Sequence, residues 1–150
     1  MDGWSVKWIN RTESYQMKKI YDLRDDKRTI KLIQDATLNT KNFGLKPEYG
    51  LFGSEEWWEA IEDGAIPKKV LEGIISRVYM SGHNDFPEFE VTALDNNKTS
   101  WERRGHDKYY VLGRKIKIIY VVQKFRQPLR IQTDSHNILE IWIDNRRRPK

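Results

Sequence analysis

The chain contains no cysteine among its 150 residues. This absence excludes a disulfide framework, a zinc site with thiolate ligands and a cysteine nucleophile. Long hydrophobic runs are also absent: the apolar segment 118–122 is far shorter than the roughly 20 residues of a membrane-spanning helix. The first residues do not combine a basic stretch with an apolar run, which is the pattern of a secretory signal. We therefore expect a cytoplasmic protein.

Positive charge is unevenly distributed along the chain. The net charge is +5 at pH 7, but residues 146–150 carry four positive charges, which leaves +1 for the rest. A basic segment that follows a folded domain is usually a solvated end. The net charge is therefore weak support for nucleic-acid binding. The isoelectric point near 9.3 also weighs against an inhibitor of nucleases, which would match a basic active site with an acidic surface.

Aromatic residues are plentiful, with six Trp, seven Tyr and five Phe, and they supply large side chains for a core. The length is that of one domain, and no linker or internal repeat divides it. We predict a single domain over residues 1–150, made of an N-terminal hairpin extension (1–41), a helix (54–64), a β-rich core (70–143) and a basic tail (146–150).

The N-terminal extension has a strand-like pattern. Apolar residues between 15 and 23 occupy alternate positions, the polar run 24–28 follows, and the alternation resumes around Ile30 and Leu32. This pattern predicts a β-hairpin. A helix is the alternative for the first arm, because several of the same residues also have helical spacing.

A short helix is predicted near residues 55–63. Ser54 is a suitable N-cap, and Gly64 suits the left-handed residue after a helix. Trp57 and Trp58 lie on one face of this helix. Such an aromatic stripe is either part of the core or a docking site, and we take both tryptophans as candidate partner-binding residues. The helix also carries carboxylates that either solvate it or dock a basic partner: Glu55, Glu56, Glu59, Glu62 and Asp63.

From residue 70 onward, side chains alternate with period two, and Asp95-Asn96-Asn97 is typical of a tight turn. We predict a mainly β (α+β) fold in which about five strands form a small antiparallel barrel or a strongly curved sheet. An oligonucleotide/oligosaccharide-binding (OB-like) or SH3-like barrel fits this order. An open antiparallel sheet is the alternative.

No pattern of catalytic residues is present. His83 and His106 lie in predicted loops beside Asp85 and Asp107, and a metal-dependent or hydrolytic site would require these loops to meet. Their spacing matches no known zinc, calcium or iron pattern. We predict no catalytic residue, no metal ligand and no cofactor, and we expect that the protein is not an enzyme.

The strongest case for nucleic acid is the predicted outer face of the central strands. Rings for base stacking and cations for phosphate would alternate there, as in single-strand binders. The candidate residues are Arg77, Tyr79, Trp101, Arg103, Lys115 and Lys117. Three glutamates on the same strands, Glu88, Glu90 and Glu102, weaken the positive field.

High Trp and Tyr content favours a non-enzymatic protein–protein interaction module, of the adaptor or inhibitor/immunity type, because these residues dominate binding hot spots. Single-stranded nucleic-acid binding through a barrel face is the first alternative. An enzyme that uses the loop His and Asp residues is the second. We expect another protein as the partner and no membrane association.

Overall fold

The computed structural model describes residues 17–39, 44–45, 48–83, 86–124 and 134–144. The strands in these ranges are β1 (Met17–Asp22), β2 (Lys69–Ser81), β3 (Phe86–Ala93), β4 (Lys98–Glu102), β5 (Lys115–Lys124) and β6 (Asp134–Asp144), and the helices are α1 (Lys27–Asn39) and α2 (Glu55–Glu62). Short 3₁₀ helices follow β1 and β4. The basic tail and the first residues of the predicted hairpin lie outside the described ranges. Neither helix in the described part of the chain is long and apolar enough to cross a membrane.

The six strands form one mainly antiparallel sheet with the order β1-β6-β5-β2-β3-β4. The meander β2-β3-β4 follows from period-two alternation and from the turn at Asp95, whose side chain accepts a hydrogen bond from the Asn97 N–H (3.0 Å). Asn96 has a φ of 69°, which Asn tolerates better than most residues. The mainly β prediction is confirmed. The closed OB-like or SH3-like barrel is wrong, because β1 and β4 are the two edges of the sheet as described.

The chain forms two compact units, each assembled from separated segments. Unit 1 is drawn from Met1–Tyr21, Val70–Ile118 and Glu140–Lys150, and unit 2 from Asp22–Lys69 and Ile119–Leu139. The buried apolar residues of unit 1 are Ile75, Phe89, Val91, Tyr110, Ile116, Ile118, Ile141 and Ile143. Those of unit 2 are Leu23, Leu45, Phe52, Trp57, Ile61, Ile66, Val121 and Leu139.

In unit 1, the segment after β4 packs against β1. Gly105 has a φ of +75°, and a Cβ atom at this position would lie 2.7 Å from the carbonyl oxygen of Ile20. A side chain is therefore excluded by both backbone conformation and space. Farther along the same segment, Tyr109 accepts a hydrogen bond from Lys18 Nζ (2.9 Å). These contacts occupy one side of β1.

Helix α1 replaces the second arm of the predicted hairpin, and this part of the prediction is wrong. Asp26 immediately precedes the helix, and its side chain accepts hydrogen bonds from the Thr29 N–H (3.1 Å) and hydroxyl (2.8 Å). Such a cap satisfies one of the unpaired N–H groups of the first turn. Leu32, which the alternating pattern placed with Ile30, is 61% exposed. The first arm is a strand, as predicted.

Replacing Asp26 with alanine is expected to lower the free energy of unfolding by about 1 kcal/mol, the usual cost of losing an N-cap. Asp25→Ala is the matched control, since it removes the same charge from a neighbouring exposed position. Chemical denaturation of both variants measures the difference. Equal losses for the two substitutions would contradict a capping role for Asp26.

Helix α2 has the predicted boundaries. Ser54 Oγ accepts a hydrogen bond from the Trp57 N–H (3.3 Å), and Gly64 adopts a positive φ of 85° directly after the C-cap. The chain then turns back on the helix, where the Ile66 N–H donates to the Ala60 carbonyl (3.0 Å). This return places the residues after the helix alongside it.

Candidate partner-binding surfaces

Arg77 and Tyr79 lie together on one face of β2. A bulge between Ile75 and Arg77 shifts the register, so that Arg77 lies opposite Glu90 and Tyr79 opposite Glu88. The Arg77 guanidinium is 4.2 Å from the centre of the Tyr79 ring, and the Tyr79 hydroxyl donates to Glu88 Oε1 (2.9 Å). The polar groups of this face are therefore already paired with one another.

Trp101 and Arg103 do not join that face. Trp101 lies directly opposite the buried Phe89, so it projects to the other side of the sheet. The Arg103 side chain is only 10% exposed, and its Nη2 donates to the Tyr79 carbonyl oxygen (2.8 Å). Arg103 is thus engaged in contacts within unit 1.

Lys115 and Lys117 alternate with fully buried isoleucines on β5 and therefore point away from them. Lys117 Nζ is 5.2 Å from the centre of the Trp142 ring, and Lys19 Nζ lies 5.8 Å from the same ring. Both distances permit cation–π attraction. Three neighbouring strands thus contribute to a small cluster of cations around one indole, with Glu140 accepting a hydrogen bond from Trp142 Nε1 (2.8 Å).

The six residues predicted to bind nucleic acid therefore do not share one surface. Glu102 lies directly opposite Glu88 on β3 and β4, on the same side as Tyr79. Carboxylates at neighbouring positions repel phosphate.

The loop histidines do not form a catalytic group in the described residues. His106 Nδ1 accepts a hydrogen bond from the Lys108 N–H (3.0 Å), which caps a 3₁₀ helix. Asp107 forms an ion pair with Arg103 (3.7 Å). His83 lies in the exposed turn after β2, and Asp85 falls outside the described residues. His106 and Asp107 thus make separate local contacts, and the described residues of this predicted site do not come together.

Tyr110 is a buried titratable group of unit 1. Its hydroxyl donates to the Arg104 carbonyl and accepts from the Arg104 N–H (2.9 Å). Burial raises the pKa of the Tyr110 phenol far above its usual range. The neutral phenol therefore fastens the segment after β4 and does not act as a base.

In unit 2, the two tryptophans of α2 have different environments. Trp57 is completely buried, its ring centroid lies 4.5 Å from that of Phe52, and its Nε1–H donates to Gln123 Oε1 (3.1 Å). Trp58 keeps partial exposure beneath the guanidinium of Arg24, which is 4.0 Å from a ring centre. A docking role for the pair must therefore rest on Trp58, because Trp57 belongs to the core.

The exposed side of α2 is acidic. Arg24 pairs with Glu62 (3.3 Å) and is the only cation that neutralises a carboxylate of this helix among the described residues. The carboxylates without such an ion pair are Glu55, Glu56, Glu59 and Asp63. Glu56 also packs against Gly50, because a Cβ atom on that glycine would lie 2.8 Å from Glu56 Cβ. The acidic side thus continues toward the segment that precedes the helix.

A cleft of about 220 Å³ opens beside α2 within unit 2. Three segments line it: the one before the helix, the one after it and the end of β5. The lining residues are Glu48, Tyr49, Ala65, Ile66, Pro67, Val122, Gln123 and Lys124. Its charged lining residues are one carboxylate, Glu48, and one cation, Lys124.

Sequence patterns did not identify this cleft or Trp142. The cleft combines segments that are distant in the chain, so no local pattern reports it. For Trp142 a signal was present, since it alternates with the inward-facing Ile141 and Ile143. That alternation places an indole on the other face of the sheet.

A family model described as Immunity protein RhsI2 matches residues 14–144 of the chain. This span is most of the chain and includes every described residue of both units. No curated protein matches the chain.

Proposed function

Because the chain belongs to the RhsI2 immunity protein family, we propose that it binds one toxin protein and blocks that toxin's activity by occupying its surface. A family of this kind is inhibitory and not enzymatic. The chain is therefore a protein–protein interaction module whose partner is a toxin, and the predicted immunity-type module is confirmed. The family match over residues 14–144 is the observation that carries this proposal.

The surface of the described residues supports a binding mechanism. They offer exposed aromatic and charged side chains on both units, such as Tyr49 and Arg77, and such residues are typical of protein interfaces. An inhibitor that works by occupancy needs only such a surface.

Nucleic-acid binding receives no comparable support. The six residues predicted for it lie on different faces, and Glu88, Glu90 and Glu102 lie among them. The cytoplasmic location stays a prediction, which fractionation of the source cells tests.

Neutralisation should follow the stoichiometry of a complex. The tagged full chain is used to isolate its partner from the source cells, and the captured protein is then produced in a test strain with and without the chain. We expect growth arrest by the captured protein alone and normal growth when the chain is present. In a titration of purified components, toxin activity should fall in proportion to the chain added until the complex is saturated.

Two results would contradict the proposal. One is a captured protein whose toxicity is unchanged by the chain. The other is complete inhibition at a small fraction of the toxin concentration, since an inhibitor that acts by occupancy cannot turn over.

A further inference from the structure

Strand β4 is an edge of the sheet and belongs to unit 1. In the part of the chain that the structure describes, β3 pairs with one side of β4 and no strand pairs with the other side. Four of its five residues are exposed, namely Lys98, Thr99, Ser100 and Glu102. The outer side of β4 is therefore accessible to a further strand.

Hydrogen bonds at the two ends of β4 determine which backbone groups face outward. The Ala93 N–H donates to the Asn97 carbonyl (2.9 Å), and the Arg103 N–H donates to the Pro87 carbonyl (3.0 Å). In an antiparallel pair such bonds recur at every second residue. The odd-numbered residues of β4 therefore bond to β3. The N–H and C=O groups that point away from β3 belong to Lys98, Ser100 and Glu102.

Two like charges lie side by side at the end of β4. Glu102 is directly opposite Glu88 on β3, in a pair without mutual backbone hydrogen bonds, where side chains approach each other most closely. Like charges in this arrangement are destabilising. Glu102 forms an ion pair with Arg104 (3.1 Å), whereas Glu88 accepts from a neutral group, the Tyr79 hydroxyl (2.9 Å). A further cation beside Glu102 would therefore reduce the repulsion.

A second copy of β4 supplies that cation when the two strands pair antiparallel about Ser100. Lys98 then lies opposite Glu102 of the second copy, and the twofold symmetry repeats this pair. The outward N–H and C=O groups of both strands face each other in the same register. A slide by two residues, the smallest that keeps these hydrogen bonds, would place Lys98 opposite Ser100 or opposite Arg104. Of these three registers, only the one centred on Ser100 brings opposite charges together.

We propose that β4 pairs with β4 of a second copy of this chain, in the antiparallel register centred on Ser100. Two Lys98–Glu102 pairs and the backbone hydrogen bonds between the strands hold the dimer together. Charged residues on a short edge strand usually oppose such pairing, but in this register the charges attract. A strand of five residues forms a small interface, so the association is weak and depends on protein concentration. The dimer does not involve the toxin, and its failure would leave the proposed function intact.

Exchanging the two charges tests the register. Sedimentation velocity of the full chain over a range of concentrations is expected to show a monomer–dimer equilibrium. Lys98→Glu alone, or Glu102→Lys alone, should lower the association constant about tenfold, because each change creates two pairs of like charges across the dimer. An equimolar mixture of the two variants should recover the association, since opposite charges face each other again in the mixed dimer.

The chain that carries both changes, Lys98→Glu with Glu102→Lys, is the matched control. It has the net charge of the wild-type chain and restores both attractive pairs, so it should also associate. Melting temperatures of all three variants establish that they fold.

A proline tests the backbone contacts. Ser100→Pro removes an N–H that points away from β3, at an edge position where proline is tolerated. We expect this variant to remain monomeric, with a melting temperature close to that of the wild-type chain. Ser100→Ala is the control, because it removes the hydroxyl but keeps the N–H, and it should associate like the wild-type chain.

Three results would overturn the dimer. The first is a wild-type chain that stays monomeric at all concentrations up to about 1 mM; if Ser100→Pro then weakens toxin binding, the edge accepts a strand of the toxin and not of a second copy. The second is association that neither Lys98→Glu nor Ser100→Pro changes, which would place the interface elsewhere. The third is loss of association in both single charge variants without recovery in their mixture, because Lys98 and Glu102 would then not face each other.

Discussion

Replacing Trp57 with alanine is expected to lower the free energy of unfolding by about 3–5 kcal/mol, the usual cost of removing a large buried ring. Trp57 has no exposed surface, and its ring lies against those of Phe52 and Trp58 at centroid distances of 4.5 and 4.8 Å. The substitution also removes the hydrogen bond that Gln123 Oε1 accepts from the indole N–H of Trp57. A cavity and a lost hydrogen bond therefore act in the same direction.

Trp58→Ala is the matched control, because it removes the same side chain from the adjacent position of the same helix. Trp58 is partly exposed and stacks under Arg24, so its removal should cost much less. Urea denaturation monitored by circular dichroism measures both variants. A loss for Trp57→Ala no greater than that for Trp58→Ala would contradict the core position of Trp57.

The same pair separates stability from binding. If toxin neutralisation depends on Trp58, Trp58→Ala weakens neutralisation with little change in the free energy of unfolding. Trp57→Ala instead weakens neutralisation because it lowers the fraction of the protein that is folded. A variant that loses binding at unchanged stability identifies a contact residue. Both readouts are needed, because neutralisation alone falls in either case.

The strands after residue 69 were predictable because their signal is local. Alternation with period two and the Asp95-Asn96-Asn97 turn both follow from backbone geometry over a few residues. Helix α2 was predictable for the same reason, since Ser54 and Gly64 mark its ends. These features depend little on the rest of the fold.

Helix α1 shows where such local patterns are ambiguous. Ile30 and Leu32 alternate like a strand, but Ile30, Ile33 and Thr37 also have helical spacing, and Thr37 is the buried residue of the helix. Asp26, three residues before Thr29, was the decisive signal, because this spacing suits an N-cap. The hairpin prediction rested on the apolar alternation and the polar run 24–28, and it did not use the cap.

The bulge in β2 could not be predicted from the sequence. It determines which face of the sheet each residue after Ile75 occupies on this strand. Without it, Ile75, Arg77 and Tyr79 would share a face. With it, Ile75 is 1% exposed, and Val78 pairs with the buried Phe89. An extra residue in one strand reverses the alternation beyond it. Arg77 and Tyr79 therefore lie on the opposite face of the sheet from Trp101, and the predicted set does not form one surface.

Unit 1 has its own central aromatic residue, Phe89, and replacing it with alanine is expected to lower the free energy of unfolding by about 3–5 kcal/mol. Phe89 has no exposed surface and lies between Val78 on β2 and Trp101 on β4. Its ring centroid is 4.7 Å from that of Tyr110. Truncation therefore removes packing from three neighbours at once, in the middle of a sheet whose register limits local collapse.

Phe86→Ala provides the control, because it removes the same atoms from the same strand at a position that is 57% exposed. Because water already covers much of the Phe86 ring, less hydrophobic free energy is lost there. Urea denaturation should therefore show a large loss for Phe89→Ala and a loss of about 1 kcal/mol or less for Phe86→Ala. Similar losses at the two positions would mean that burial on β3 does not govern stability, and Phe89 would then not be part of the core of unit 1.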